Sequence, residues 1–355
     1  MTTAIFDKAA LEAIELLKHL IATPSFSREE GAAADVLQAY LEETGLRPKR
    51  KGNNLWCLPT TLNPERPTLL LNAHIDTVRP VSGWQRNPFC PSIEGDNLYG
   101  LGSNDCGGGL VCLLQVFRLL RDHTECPWNI IWLASCEEEV SGKEGIESVL
   151  PLLPHIDVAI VGEPTDMQPA IAEKGLMVLD LTAHGKAGHA ARNEGDNAIY
   201  HALKDIEWLR SHRFERVSPL LGEVKVSVTL IKAGTQHNVV PDRCEFTADV
   251  RTNECYSNAE ILDEIKKNVS SDVHARSTRL NSSGISKEHP IVKRCIALGG
   301  EPCGSPTLSD QSLMPFPSLK LGPGSSARSH SADEFIKLSE IRHSIEFFYH
   351  LLSSL

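Results

Sequence analysis

Three short apolar runs, each ending abruptly in acidic or imidazole side chains, constrain this 355-residue chain more than any other feature. Thr68-Leu69-Leu70-Leu71-Asn72-Ala73 runs into His74-Ile75-Asp76. Asn129-Ile130-Ile131-Trp132-Leu133-Ala134 runs into Ser135-Cys136-Glu137-Glu138-Glu139, and Asp157-Val158-Ala159-Ile160-Val161 runs into Gly162-Glu163. Continuous apolar runs of this length suit strands buried on both faces, as in parallel sheets. Residues 110–120, between the first two runs, read as a buried helix. The expected class is therefore α/β, with a largely parallel central sheet and helices on both faces. Ahead of the sheet, Asp7 is expected to N-cap a helix over residues 7–20, with Leu11, Ile14, Leu17 and Ile21 at helical spacing. A second helix is expected after Ser27-Arg28-Glu29-Glu30, read as a capping box.

The chain exceeds the size at which one core usually stops growing, so two domains are expected. From residue 176 the pattern becomes strand, helix, strand, strand, helix, strand. The strands are expected at 176–183, 224–233, 244–251 and 273–280, and the helices at 196–210 and 258–268. This is the split βαβ order of a ferredoxin-like α+β domain. After residue 283 the α/β character returns, with a helix at 291–299 and a strand at 318–321. The expected organisation is a catalytic domain from residues 1–173 and 283–355, with an inserted domain over 174–282.

Ligands of open α/β sheets bind beyond the carboxyl ends of the strands. His74, Asp105, Glu138, Glu139 and Glu163 all follow apolar runs or lie in a glycine-rich turn, and His330 follows Gly322-Pro323-Gly324. Carboxylates gathered at one sheet edge would repel one another without a cation. A pair of divalent ions removes that cost, and mixed nitrogen and oxygen ligands suit zinc. Such ions also lower the pKa of water from about 15.7 to near 7. Glu138 and Glu139 then take different jobs, since a carboxylate committed to metal is a poor base and its neighbour stays free to accept a proton.

Taken together, His74-Ile75-Asp76, Asp105, Glu138-Glu139, Glu163 and His330 resemble the M20 metallopeptidase and deacylase family, in its acetylornithine deacetylase and succinyl-diaminopimelate desuccinylase branch. The resemblance runs along nearly the whole chain and implies a zinc-exopeptidase-like fold. It implies that His74 and Glu163 bind one zinc, Glu139 and His330 the other, and that Asp105 bridges both, with cobalt or manganese as substitutes. Asp76 would orient His74, and Glu138 would be the general base and then the acid. Within Gly185-Lys186-Ala187-Gly188-His189-Ala190, His189 matches a residue that stabilises the tetrahedral oxyanion, often in the partner subunit's site. Asn238 and Arg251 match substrate-contacting positions, and Arg328 is a second candidate clamp for a carboxylate, to which the guanidinium fork is suited. The inserted domain would form a homodimer. The sequence departs from the pattern at Glu137, where relatives often have Asp, and at Gly107, where they often have Lys.

Each signal alone has an ordinary explanation: a satisfied histidine at a strand end, a solvated acidic run, an acid in a turn. Their order at successive strand ends sets that aside. Cys106 and Cys136, beside the expected ligands, read as small packing residues. Gly107-Gly108-Gly109 lacks a phosphate-binding spacing. The net charge of −11 argues against a nucleic-acid partner. No apolar stretch is long enough for a membrane span. The ten cysteines form no CxxC pair or even framework. The first residues lack a charged start followed by an apolar core, so a cytoplasmic location is expected. The function expected is removal of an N-acyl group, acetyl or succinyl, from a small amino acid such as ornithine or citrulline, in arginine biosynthesis. The alternatives are an M20 dipeptidase or aminopeptidase, and a non-catalytic metal-dependent amino-acid-binding protein, against which the intact Glu138 argues.

Overall fold

The structure is a computed structural model that describes residues 3–354. These divide into two compact units. One comprises the chain up to Ile171, Ile285–Cys303 and the chain from Ser309 onward. The other comprises Ala172–Gly284 and Gly304–Leu308.

In the first unit the sheet runs in the order Lys49–Lys51, Asn54–Cys57, Asn129–Ser135, Thr68–His74, Val158–Val161, Ser318–Lys320. Neighbours from Asn129–Ser135 to Ser318–Lys320 are parallel. Asn54–Cys57 is antiparallel to Asn129–Ser135, and Ala170 is antiparallel to Lys320. The three apolar runs thus become adjacent strands, all wholly buried. Their alternate residues feed two cores. Leu69, Leu71, Ile130, Trp132, Val158 and Ile160 pack in the same cluster as residues of the helices Thr3–Ile21, Gly108–Leu120 and Leu338–Leu352. Leu70, Ile131, Leu133, Ala159 and Val161 pack on the opposite face with Ile146, Val149 and Met314. Two-sided burial explains why the runs show no alternation in sequence.

The sheet register decides where the polar groups fall. His74 pairs with Ser135, and Asn72 pairs with Val161. The carboxyl ends of these strands are therefore level, and whatever follows them is delivered to one edge.

Two helix starts differ from expectation. The first helix begins at Thr3, so Asp7 lies inside it and accepts from Arg342 Nε at 2.8 Å rather than capping. The second begins at Gly31 with Glu30 at the cap position and no side-chain cap bond. Ser27 donates instead to Asp76 Oδ2 at 2.7 Å, a tertiary contact that outcompetes the local one.

The second unit holds a four-stranded antiparallel sheet in the order Lys225–Ala233, Arg243–Thr252, Gly175–His184, Asp272–Ala275. The helices Ala198–Ser211 and Asn258–Asn268 contribute Ala198, Ala202, Leu209, Ile261 and Ile265 to its core. In chain order the strands read 2-3-1-4, the split βαβ arrangement. Gly175–His184 alternates buried and half-buried residues, as a sheet packed on one face should. Ser257 and Glu260 form a reciprocal capping box that starts the second helix. The last strand ends at Ala275, short of the expected residue 280.

Candidate metal and active site

His74 is the last residue of its strand and is buried. Its Nδ1 lies 2.9 Å from the backbone oxygen of Asp76, which fixes the ring and leaves Nε2 to point outward. Nε2 lies 3.2 Å from Asp105 Oδ1 and 3.7 Å from Glu163 Oε1. On the other side, His330 Nε2 lies 3.0 Å from Glu139 Oε1 and 3.7 Å from Asp105 Oδ2. The five groups thus fall into two sets, and Asp105 presents one oxygen to each.

Asp105 sits in the tight turn Ser103–Gly107, opened by Gly102 in the left-handed region at φ 75°. A side chain at Gly102 would strike Thr77 at 2.5 Å, which adds a second reason for glycine there. Buried Glu334 holds this turn: its carboxylate accepts from the amides of Gly102, Asn104 and Asp105 at 3.0, 2.8 and 2.9 Å. Burial pushes the Glu334 carboxyl up to about 7, against the pull of those amides.

The acidic triplet is held in the same manner. Glu137 N donates to Glu30 Oε1 at 3.1 Å, Glu138 N to Asp76 Oδ1 at 3.0 Å and Glu139 N to Asp76 Oδ2 at 3.2 Å. Asp76 was expected to orient His74. Its carboxylate is 3.6 Å from Nδ1, and the closer contact is its backbone carbonyl. The side chain instead organises the Glu138-Glu139 turn, because those amides are unpaired at the strand end and a carboxylate satisfies both.

The electrostatics follow from crowding. Burial, then the charge of Asp105, raises the Glu163 carboxyl to about 8. Burial also pushes Glu138 well above the usual range. At Asp105 burial acts in the same direction, but the hydrogen bond and charge of His74, with Ser329 and His330, hold it below the usual value. Burial opposes protonation of His74, yet Cys106, Asp105, Glu138 and Glu163 together raise it well above 6.5. The hydrogen bond to Glu139 raises half-exposed His330 to about 9. Buried carboxylates crowded in this way favour a cation or a proton among them.

The residues fit divalent cations on two grounds. The donor set is imidazole and carboxylate, with His74, Asp105 and Glu139 offering ligand atoms within 4.8 Å of one another. Glu163 Oε1 is buried and accepts no hydrogen bond from the described residues, so an acceptor faces the cluster with no donor. Cys106 Sγ is also near His74 and Glu163, but it donates to the Gly162 carbonyl oxygen at 3.0 Å, and burial raises its pKa.

The remaining expected residues lie elsewhere. In the second unit, His189 pairs with Val239 in a two-residue antiparallel ladder, and Ala190 N donates to the Asn238 carbonyl at 3.0 Å. This brings exposed His189 and Asn238 side by side. Each of the two arginines expected as clamps meets a carboxylate of the chain. Arg251 donates to both oxygens of Asp249, at 2.8 and 3.2 Å. Arg328 donates to both oxygens of Glu340, at 3.0 and 2.7 Å, and to the Phe335 carbonyl at 3.3 Å. Each fork already holds a carboxylate of the chain, the geometry it was expected to offer a ligand. Sequence reasoning missed Glu334 and Asp310, and gave Glu30 a capping role in place of the tertiary one. Their only signal was acidity at places now seen to be buried.

A parallel sheet with imidazoles and carboxylates gathered at its carboxyl edge defines a metal-dependent hydrolase of the two-domain kind. The model for peptidase family M20/M25/M40 matches residues 70–354, and the chain belongs to that family, whose members are metal-dependent amide hydrolases. It is 28% identical over 377 residues to an acetylornithine deacetylase of Proteus mirabilis, covering 96% of each chain. It is 26% identical over 264 residues to a succinyl-diaminopimelate desuccinylase of Gluconobacter oxydans, covering 70% of this chain and 69% of that one. Among solved structures it resembles a dinuclear metal binding peptidase of the M20 family from Bacillus subtilis. The TM-score is 0.72 at 16% identity, with 98% of each chain covered, a likeness of fold. Among the described residues no helix is long and apolar enough to cross a membrane.

Proposed function

We propose that the chain removes an acetyl or succinyl group from a small amino acid such as ornithine or citrulline, a deacylation of the kind arginine biosynthesis uses. The carrying observation is the division of labour within Glu138-Glu139. Both amides are held by Asp76, yet only Glu139 is joined to a ring nitrogen of the cluster. Among the described residues no side chain hydrogen-bonds the Glu138 carboxylate, which stays free for proton transfer.

His74 and Glu163 would hold one zinc, Glu139 and His330 a second, with Asp105 between them. When bound, such ions supply Lewis acidity that makes water nucleophilic near neutral pH and polarises an amide carbonyl. Glu138 takes the proton from the attacking water and gives it to the departing nitrogen. His189 would stabilise the oxyanion, and Asn238, beside it, would contact polar groups of the substrate. Arg251 and Arg328 would meet a substrate carboxylate by exchanging Asp249 and Glu340 for it. A homodimer formed through the second unit and a cytoplasmic setting complete it.

The two named relatives support the deacylase reading, and the peptidase likeness of fold supports a dipeptidase or aminopeptidase as the second one. One screen separates them. Zinc-loaded protein is offered acetyl and succinyl derivatives of ornithine, citrulline and diaminopimelate beside dipeptides, with products read by mass spectrometry. Glu138→Gln should lose about 10²–10⁴-fold in turnover of the best substrate with its metal content unchanged. Full turnover by that variant overturns the mechanism. Tight binding of one compound with hydrolysis of none would make the chain a metal-dependent binding protein.

A further inference from the structure

We infer that Asp310 is a positioning residue for the reaction: its carboxylate ties together the carboxyl ends of the two adjacent strands that deliver His74 and the Glu138-Glu139 pair. The inference rests on the hydrolase reading of the site.

Asp310 opens the short turn Asp310–Leu313, whose start is fixed by the Ser309 side chain accepting from Gln311 N. It is 4% exposed. Ser135 Oγ donates to Asp310 Oδ2 at 2.5 Å. With the Asn72 amide turned to satisfy both of its ends, Nδ2 donates to the same oxygen at 3.2 Å and the side-chain oxygen accepts from Ala73 N at 3.2 Å. Ser135 and Asn72 belong to neighbouring parallel strands, in which Ser135 pairs with His74. Asn72 lies two residues before His74, and Ser135 three before Glu138. One carboxylate oxygen therefore bridges the strand that carries a metal-site imidazole and the strand that carries the base. Beyond this point the ladder continues through Ile75 N to the Ser135 carbonyl, at 2.8 Å.

Packing alone does not account for an acid here. Both partners are neutral, and a buried carboxylate facing neutral donors stabilises a fold poorly. Burial raises the Asp310 carboxyl to about 6. An amide oxygen would accept from Ser135 without that cost. The charge and its aim at two strand ends acquire a use if small shifts between His74 and Glu138 matter, as they do where metal ligands and a base must meet one water.

The test uses the full chain loaded with cobalt(II), with three readouts: the visible cobalt spectrum, kcat and KM on N-acetylornithine, and Tm. Asp310→Ala should shift the cobalt bands and lower kcat about 10–100-fold. KM should stay within about threefold, since ground-state binding is untouched. Asp310→Asn should recover part of kcat, because it restores an acceptor for Ser135. Should Asp310→Ala fail to fold, Ser135→Ala removes the same tie and carries the same expectation. A lowered Tm with kcat and cobalt spectrum as in the unaltered chain overturns the inference. If the unaltered chain binds cobalt but cleaves no acyl amino acid, the hydrolase reading fails separately. The spectrum then still decides, a shift supporting the tie and an unchanged spectrum overturning it.

Discussion

Asp76 spends both carboxylate oxygens on backbone amides, and this fixes what its loss would do. In Asp76→Ala the amides of Glu138 and Glu139 lose their acceptor, and Ser27 loses its own. Leaving a buried donor unsatisfied costs about 1–3 kcal/mol. The variant should melt at a lower temperature, and its turnover should fall about 10–100-fold as the base and its neighbouring ligand drift. Thermal unfolding and kcat measured together check this. A variant with normal kcat would show that the turn holds itself. At this scale the sequence disclosed the residue but not the two amides that its carboxylate holds. Spacing of two between His74 and Asp76 suggests a side-chain contact, but only the strand-end geometry shows that the backbone carbonyl is nearer. Glu334 and Glu30 illustrate the opposite limit. Nothing local marks a glutamate whose donors are amides 230 residues away, or one whose donors are Asn53 Nδ2 and the Glu137 amide.

Elements were legible wherever burial alone dictates the pattern. The three apolar runs became strands within a residue of where composition puts them, because two-sided burial demands continuous apolar sequence. Ser257 and Glu260 form a local capping box, whereas Ser27, expected to open one, does not, since Asp76 competes for its hydroxyl. The long helix Leu338–Leu352 went unremarked, although Ile341, Ile345, Phe348 and Leu352 repeat at helical spacing. The glycine triplet after Asp105 has a packing role that residue chemistry alone does not reveal. A Cβ on Gly109 would lie 1.7 Å from the Gly162 carbonyl oxygen, backbone against backbone. No rotamer relieves such a contact, so Gly109→Ala must push the helix Gly108–Leu120 from the strand that leads to Glu163. Overpacking costs about 1–3 kcal/mol, occasionally more, and this one belongs at the upper end. A fall in Tm is expected, read by calorimetry. Unchanged Tm would mean that the helix and strand are less closely packed.

At the scale of the whole molecule, two folding units divide the expected machinery. The first holds the imidazole and carboxylate cluster entire, from His74 to His330. The second holds His189 and Asn238 on one exposed ladder. Topology of both units could be reasoned from element order, because parallel crossovers and split βαβ units leave few alternatives. Substrate choice could not, since the arginines that seemed to promise a carboxylate clamp are paired within the chain. The central claim is that a pair of divalent ions held by His74, Asp105, Glu139, Glu163 and His330 makes this chain an amide hydrolase. The most direct measurement is hydrolysis of N-acetylornithine followed through chelation and zinc titration, with bound metal counted by native mass spectrometry at each step. The account predicts two ions per chain in the active protein, loss of turnover as they are removed, and recovery when zinc returns. Undiminished hydrolysis by a chain carrying no ion would contradict it.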